Sequence, residues 1–322
     1  MKKYVEMLFV LVSVCCTTVK AQQTPSPDEK IPYIVTFSKE SEKAWGDDDF
    51  VQTFFLVIPD MHKKPFYIRI FDPDIGGDID ENHDAFNSKT KFSVYGGALA
   101  HSHPDAKNQN PIGNYKSGFL LATKTFSNEK VYDNAWYTMG PFNPIEGELQ
   151  REFGGRIFKI LIEGIQGDDG NLYRIFLSSS ANENIEVEGG NTFAYEYAFR
   201  LSDAVGSVSH LYPFVGRTVT AVKVRIFDYD DEGIIRMVSV AKKGDISKPK
   251  GSAGWIENTH KILRDEINTS LDIQFIKQKA VKNNNIVVVI ANQYGELLPF
   301  YTTPIGGVPK FQYKIGHKIE ED

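Results

Sequence analysis

The stretch FYIRIFDPDIGG, residues 66–77, and the stretch VKVRIFDYDDEG, residues 222–233, align without a gap at an offset of 156 residues. Arg69, Ile70, Phe71, Asp72, Asp74 and Gly77 face Arg225, Ile226, Phe227, Asp228, Asp230 and Gly233. A run of β-branched and aromatic residues that ends in Asp and Gly reads as a strand entering a tight turn. A chain that writes this unit twice is expected to have duplicated a β fold. The remaining sequence agrees, with short apolar runs such as residues 53–58, 157–163, 173–177, 192–201 and 286–291 separated by Gly, Asn, Asp and Pro. That pattern predicts an all-β protein. Only residues 256–267 carry a trace of helical period, and there a short helix and a loop are both compatible.

The repeat reaches beyond the acidic turns. TFFLVIP precedes the first and SHLYPFVG the second, and each half closes on an expected hairpin, IFKILIEGIQGDDGNLYRIFLSSS and IVVVIANQYGELLPFYTTP. At 322 residues the chain has room for about two domains. The expectation is two tandem antiparallel β-sandwich domains, residues 31–203 and 204–322, divided at the small, polar LSDAVGSVS. Additional material, chiefly residues 76–91 and 96–115, lengthens the first. Long insertions between strands are where binding function concentrates, so the first unit is the expected functional one.

Residues 1–21 open with Lys2 and Lys3, continue through an apolar run and end in Val-Lys-Ala, as a secretory signal peptide does. The run is too short to span a membrane. Residues 22–30 then read as a flexible lead-in. Both cysteines, Cys15 and Cys16, fall inside the leader, where they raise a lipid anchor as an alternative, and the mature chain keeps no thiol. A secreted chain without disulfides points to a bacterial source and to the periplasm or cell surface. Loss of Lys2, Lys3, Lys20 and Glu6 moves the net charge from -6 to -8. An acidic surface argues against nucleic acid as a partner.

The acidic turns are candidate cation sites, because closely spaced carboxylates beside glycine suit calcium, a cation that takes six to eight oxygens. The candidate ligands are Asp72, Asp74, Asp78, Asp80 and Glu81 in the first copy, and Asp228, Asp230, Asp231 and Glu232 in the second. The alternative is Asp residues that cap turns and stay solvated. The spacing does not fit an EF-hand loop. This strand-and-acidic-turn unit resembles the calcium-binding, C2-like β-sandwich modules of secreted bacterial proteins. The resemblance covers a dozen residues in each half, and implies a fold and an ion without implying a partner.

His101-Ser102-His103-Pro104 is similar to the H-x-H-P of the zinc isopeptidase family that carries a JAMM motif, although the S-x-x-D expected downstream is missing. His101, His103 and Asp105 are the alternative, zinc-type ligand set. There is no G-x-S-x-G elbow, P-loop or dinucleotide fingerprint. Aromatic residues make up 12% of the chain. Trp136 and Tyr137, in the turn-rich DNAWYTMGPFNP, are the candidates for stacking on a ligand from a loop. The functional expectation is an exported, non-enzymatic binding or scaffold protein of the cell envelope, with another envelope protein or a surface glycan as partner. The alternatives are a glycan-binding module and a metal-dependent hydrolase.

Overall fold

Alternation along a strand buries one face, and the chain satisfies this by laying one long sheet over two shorter ones. The computed structural model describes residues 22–107, 110–229, 233–242, 244–247 and 254–305. Besides short strands of two to four residues, eight strands build the first half among the described residues: β1 (Tyr33–Phe37), β2 (Val51–Pro59), β3 (Phe66–Phe71), β4 (Lys89–Gly96), β5 (Phe119–Phe126), β6 (Trp136–Phe142), β7 (Gly155–Gln166) and β8 (Gly170–Ser178). Eight form the second: β9 (Glu196–Arg200), β10 (Val208–Leu211), β11 (Ala221–Phe227), β12 (Gly233–Val238), β13 (Asp245–Ser247), β14 (Trp255–Lys261), β15 (Asp272–Lys277) and β16 (Asn285–Asn292). The fold is all-β, and its ladders are antiparallel.

The front sheet runs β14-β11-β16-β9-β1-β8-β3-β6. Behind its first half lies β2-β7-β4-β5, extended beside β2 by Asn191–Ala194 and Phe300–Tyr301; behind its second half lies β10-β15-β12-β13. Each of these sixteen strands has a counterpart eight places later at the same position in its layer, while the short strands Gln23–Thr24, Glu148–Gln150 and Phe214–Val215 stand outside the relation. The acidic-turn strands obey the same relation. Phe71 lies opposite Trp136 and Phe227 opposite Trp255. Arg69 stacks over Trp136 at 5.2 Å, and Arg225 over Trp255 at 4.5 Å.

The two front layers meet where β1 pairs with β9, Ile34 opposite Phe199 and Tyr33 opposite Arg200. The sheet is continuous across that seam. One apolar cluster holds Ile34, Phe92 and Tyr173 together with Phe199, Ile226 and Phe275. β9 also carries a five-residue ladder with β16, so residues 196–200 join the strands of the second half to β1 ahead of the composition break at 201–209.

The expected hairpins take another form. β7 pairs with β2 and β4 in the back sheet, whereas β8 pairs with β1 and β3 in front, so residues 167–169 carry the chain across the core. All of residues 157–164 are buried. A strand covered on both faces gives no alternation from which its partner could be read. Past β16, one bridge, Ala291 to Leu297, starts a hairpin before Phe300 and Tyr301 leave to pair with Ala194 and Phe193. Residues 256–261 belong to strand β14, followed by a 3-10 turn at Arg264–Glu266, in place of the helix or loop expected there.

Candidate functional site

Asp72 and Asp228 close the repeated strands in the left-handed region, at φ 55° and 57°. Asp accepts that conformation more readily than bulkier residues do. In each half the turn is fixed by the same bond: Asp72 N–H donates to Ala135 O (2.8 Å) and Asp228 N–H to Gly254 O (3.3 Å). In the first half this draws the loop after β5 over the acidic turn, and oxygens of Asp72, Asp74 and Asp133 come within 4.8 Å of one another. Asp72 accepts from Asn134 N–H at 3.1 Å and Asp74 from Glu129 N–H at 2.9 Å. Burial, opposed in part by these bonds, pushes Asp72 up to about 7 and Asp74 up to about 6. Asp133 lies about sixty residues away in sequence, which is why a local reading of the turn omits it.

The other acids of the first turn have structural work. Asp80 accepts from Gly76 N–H and Leu172 N–H, both at 2.7 Å, and ties the turn to β8. Glu81 pairs with Arg200 and accepts from Asn285 at 3.1 Å, locking the loop onto the seam. Neither joins the carboxylate group, contrary to the expectation that they would share an ion with Asp72. Asp78 is exposed outside it. Asp230, Asp231 and Glu232 lie outside the described residues.

The described parts of the long insertion, residues 97–107 and 110–118, fold onto the outer face of the back sheet. Lys159 of β7 is fully buried and donates to Tyr115 O (2.6 Å) and Ser117 O (2.8 Å). Glu163 pairs with Lys91 and Lys116, each at 2.8 Å, and Glu148 accepts from His101 N–H and Ser102 N–H. At the edge of this cover a small cleft of about 20 Å³ opens to solvent between Asp49, Asp105, Lys107, Tyr115, Tyr195 and Glu196. Its interior has room for about one water, far below the roughly 300–1,000 Å³ of a ligand pocket, so a larger ligand would rest on its rim. Burial raises Asp49 and Glu196 well above the usual carboxylate range, with their neighbouring acids adding to the effect. Glu196 Oε2 is buried without a hydrogen-bond partner. The run Gly46-Asp47-Asp48-Asp49 was a visible signal for this cluster. Its meeting with Glu196 is tertiary. Asp47 itself caps the turn, accepting from Phe37 N–H at 3.0 Å and Phe50 N–H at 2.8 Å.

The zinc-type set does not assemble. His101 is 1% exposed inside a cage of Phe55, Phe153, Phe193 and Tyr195, with Nε2 3.1 Å from the Tyr195 hydroxyl. His103 instead accepts from Asp105 N–H at 3.1 Å, and the three side chains are not among the groups whose ligand atoms converge. The aromatic requirements of the back-sheet face turn His101 inward. Trp136 and Tyr137 lie in strand β6, not in a loop, and both are half-buried. Tyr137 packs inward on Phe126 and Tyr132, while Trp136 faces outward beneath Arg69.

No protein-family model and no curated protein matches the chain. Among solved structures, the N-terminal CBM22-1-CBM22-2 tandem domain of Xyn10C from Paenibacillus barcinonensis overlays at a TM-score of 0.18 with 8% identity, covering 78% of this chain and 76% of that one. The Macrobrachium rosenbergii nodavirus structure overlays at 0.14 with 9% identity, covering 91% and 96%. Overlays this loose assign neither a fold family nor a ligand. Among the described residues no helix is long and apolar enough to cross a membrane.

Proposed function

We propose that the protein is an exported, non-enzymatic binding protein of the bacterial cell envelope, built on a duplicated sandwich, that takes a surface glycan across the rim of the cleft beneath its first insertion. The observation that carries this reading is a carboxylate oxygen of Glu196 that lacks a partner, beside a solvent-open cleft whose rim includes the half-buried Tyr115 with Asp105 and Lys107. Sugars offer hydroxyl donors to such an oxygen and an apolar ring face to an aromatic side chain. The signal-like residues 1–21 support export. The matched strand order and the matched Arg–Trp stacks support the duplication.

The test is to screen residues 22–322 against immobilised bacterial and plant polysaccharides, followed by titration with the best oligosaccharide. Glu196→Gln and Tyr115→Ala are each expected to weaken binding at least tenfold while leaving the thermal midpoint within a few degrees. Retention of no polysaccharide by the folded protein would sink the glycan reading and leave another envelope protein as partner. Release of reducing ends would transfer it to a hydrolase with Asp49 and Glu196 as the carboxyl pair.

A further inference from the structure

Two loops of the first half present three carboxylates to one point, and the arrangement is separate from the glycan cleft. Asp72 and Asp74 come from the turn after β3, and Asp133 from the loop before β6. One oxygen of Asp72 and one of Asp74 are each held by a backbone N–H of the opposite loop, from Asn134 and Glu129. Asp74 is 0% exposed, yet its Oδ1 receives no N–H or O–H donor and its carboxylate lies against that of Asp133, whose Oδ1 is likewise buried without a donor. A buried carboxylate oxygen left without a donor costs free energy that a cation would remove. The loops also touch closely: a Cβ on Gly77, at φ +72°, would stand 3.2 Å from Asp133 Cγ.

We propose that Asp72, Asp74 and Asp133 bind one hard divalent cation, calcium in preference to magnesium, that clamps the turn after β3 to the loop before β6. The donors are oxygens alone, with neither sulfur nor imidazole, which selects against zinc. Calcium takes six to eight oxygens at about 2.3–2.6 Å in flexible geometry, which suits carboxylates supplied by two separate loops, whereas magnesium at about 2.0–2.1 Å demands a near-ideal octahedron and keeps most of its waters. The stretch before Trp255 that corresponds to Asp133-Asn134-Ala135 reads Ser252-Ala253-Gly254. The third carboxylate is missing from the second copy, and the expected stoichiometry is one ion per chain.

The experiment is isothermal titration of chelator-treated residues 22–322 with calcium, and separately with magnesium, alongside thermal unfolding. One calcium per chain is expected, with a rise in midpoint on loading and magnesium at least tenfold weaker. Asp133→Asn keeps the shape of the side chain and removes a repelling charge. It is expected to abolish calcium binding while leaving the calcium-free midpoint unchanged or higher, which separates loss of the site from loss of the fold. Asp78→Asn, on the exposed turn, is expected to bind as the parent does. No heat from the parent protein, or undiminished binding by Asp133→Asn, would overturn the site; equal affinity for magnesium would overturn the choice of ion.

Discussion

His101 shows how one buried side chain can set the acid stability of a fold. It lies within the aromatic cage, and burial, with Lys107 nearby, pushes its pKa down to about 3. An unfolded chain titrates histidine near 6.5. Between those values the unfolded state binds the extra proton. The stability that His101 contributes is therefore complete above about pH 6.5 and is lost as pH falls toward 3. His101→Phe is expected to flatten the thermal midpoint between pH 6.5 and 4, and circular dichroism melts across that range are the check. An unchanged slope would place the acid lability elsewhere. Nothing in H-x-H-P announces this role, because the motif reads the same whether the ring faces a metal or a cage.

At the scale of elements, residues 101–102 and 115–117 of the insertion are held by charges that rise from the sheet beneath them. Lys159 has no exposed surface, and burial brings its pKa down to about 8. Its ammonium spans Tyr115 O, Ser117 O and the Ser117 hydroxyl. Lys159→Met removes the donor from these acceptors at a cost on the order of 2 kcal/mol. Hydrogen exchange is expected to quicken at residues 113–118 before it does in β7. Uniform acceleration would instead make Lys159 a support of the whole sandwich. The sequence placed an insertion here, and its length marked it as functional. A lysine between isoleucine and phenylalanine in a strand does not reveal that it anchors a loop some forty residues away.

The whole molecule is tied together across the seam. β1 pairs with β9, Glu81 reaches Arg200 and Asn285, and Asn285 also donates to Trp45 O at 2.8 Å. Tyr301 N–H donates to Tyr212 O at 3.4 Å, and Pro213 bridges Phe300, so the C-terminal segment stitches the two back layers. With one core running through both halves, calorimetry of residues 22–322 is expected to show a single transition whose van't Hoff and calorimetric enthalpies agree. Two resolved transitions would establish the halves as independent folding units.

Local pattern was enough for the all-β class, for the paired RIFD strands with their acidic turns, and for Asp72 and Asp74 as neighbours. Each of these is a property of adjacent residues, and period-two alternation is written directly in the chain. The tertiary structure decided the rest. It sent β7 and β8 to different sheets, gave Asp80 and Glu81 to backbone and arginine, turned His101 into the core, and brought Asp133 to the acidic turn and Glu196 to the cleft. Alternation says which side chains face inward, but it carries no information about which sheet a strand joins. Carboxylates about sixty residues apart meet only when the packing of both layers has fixed where each loop lies.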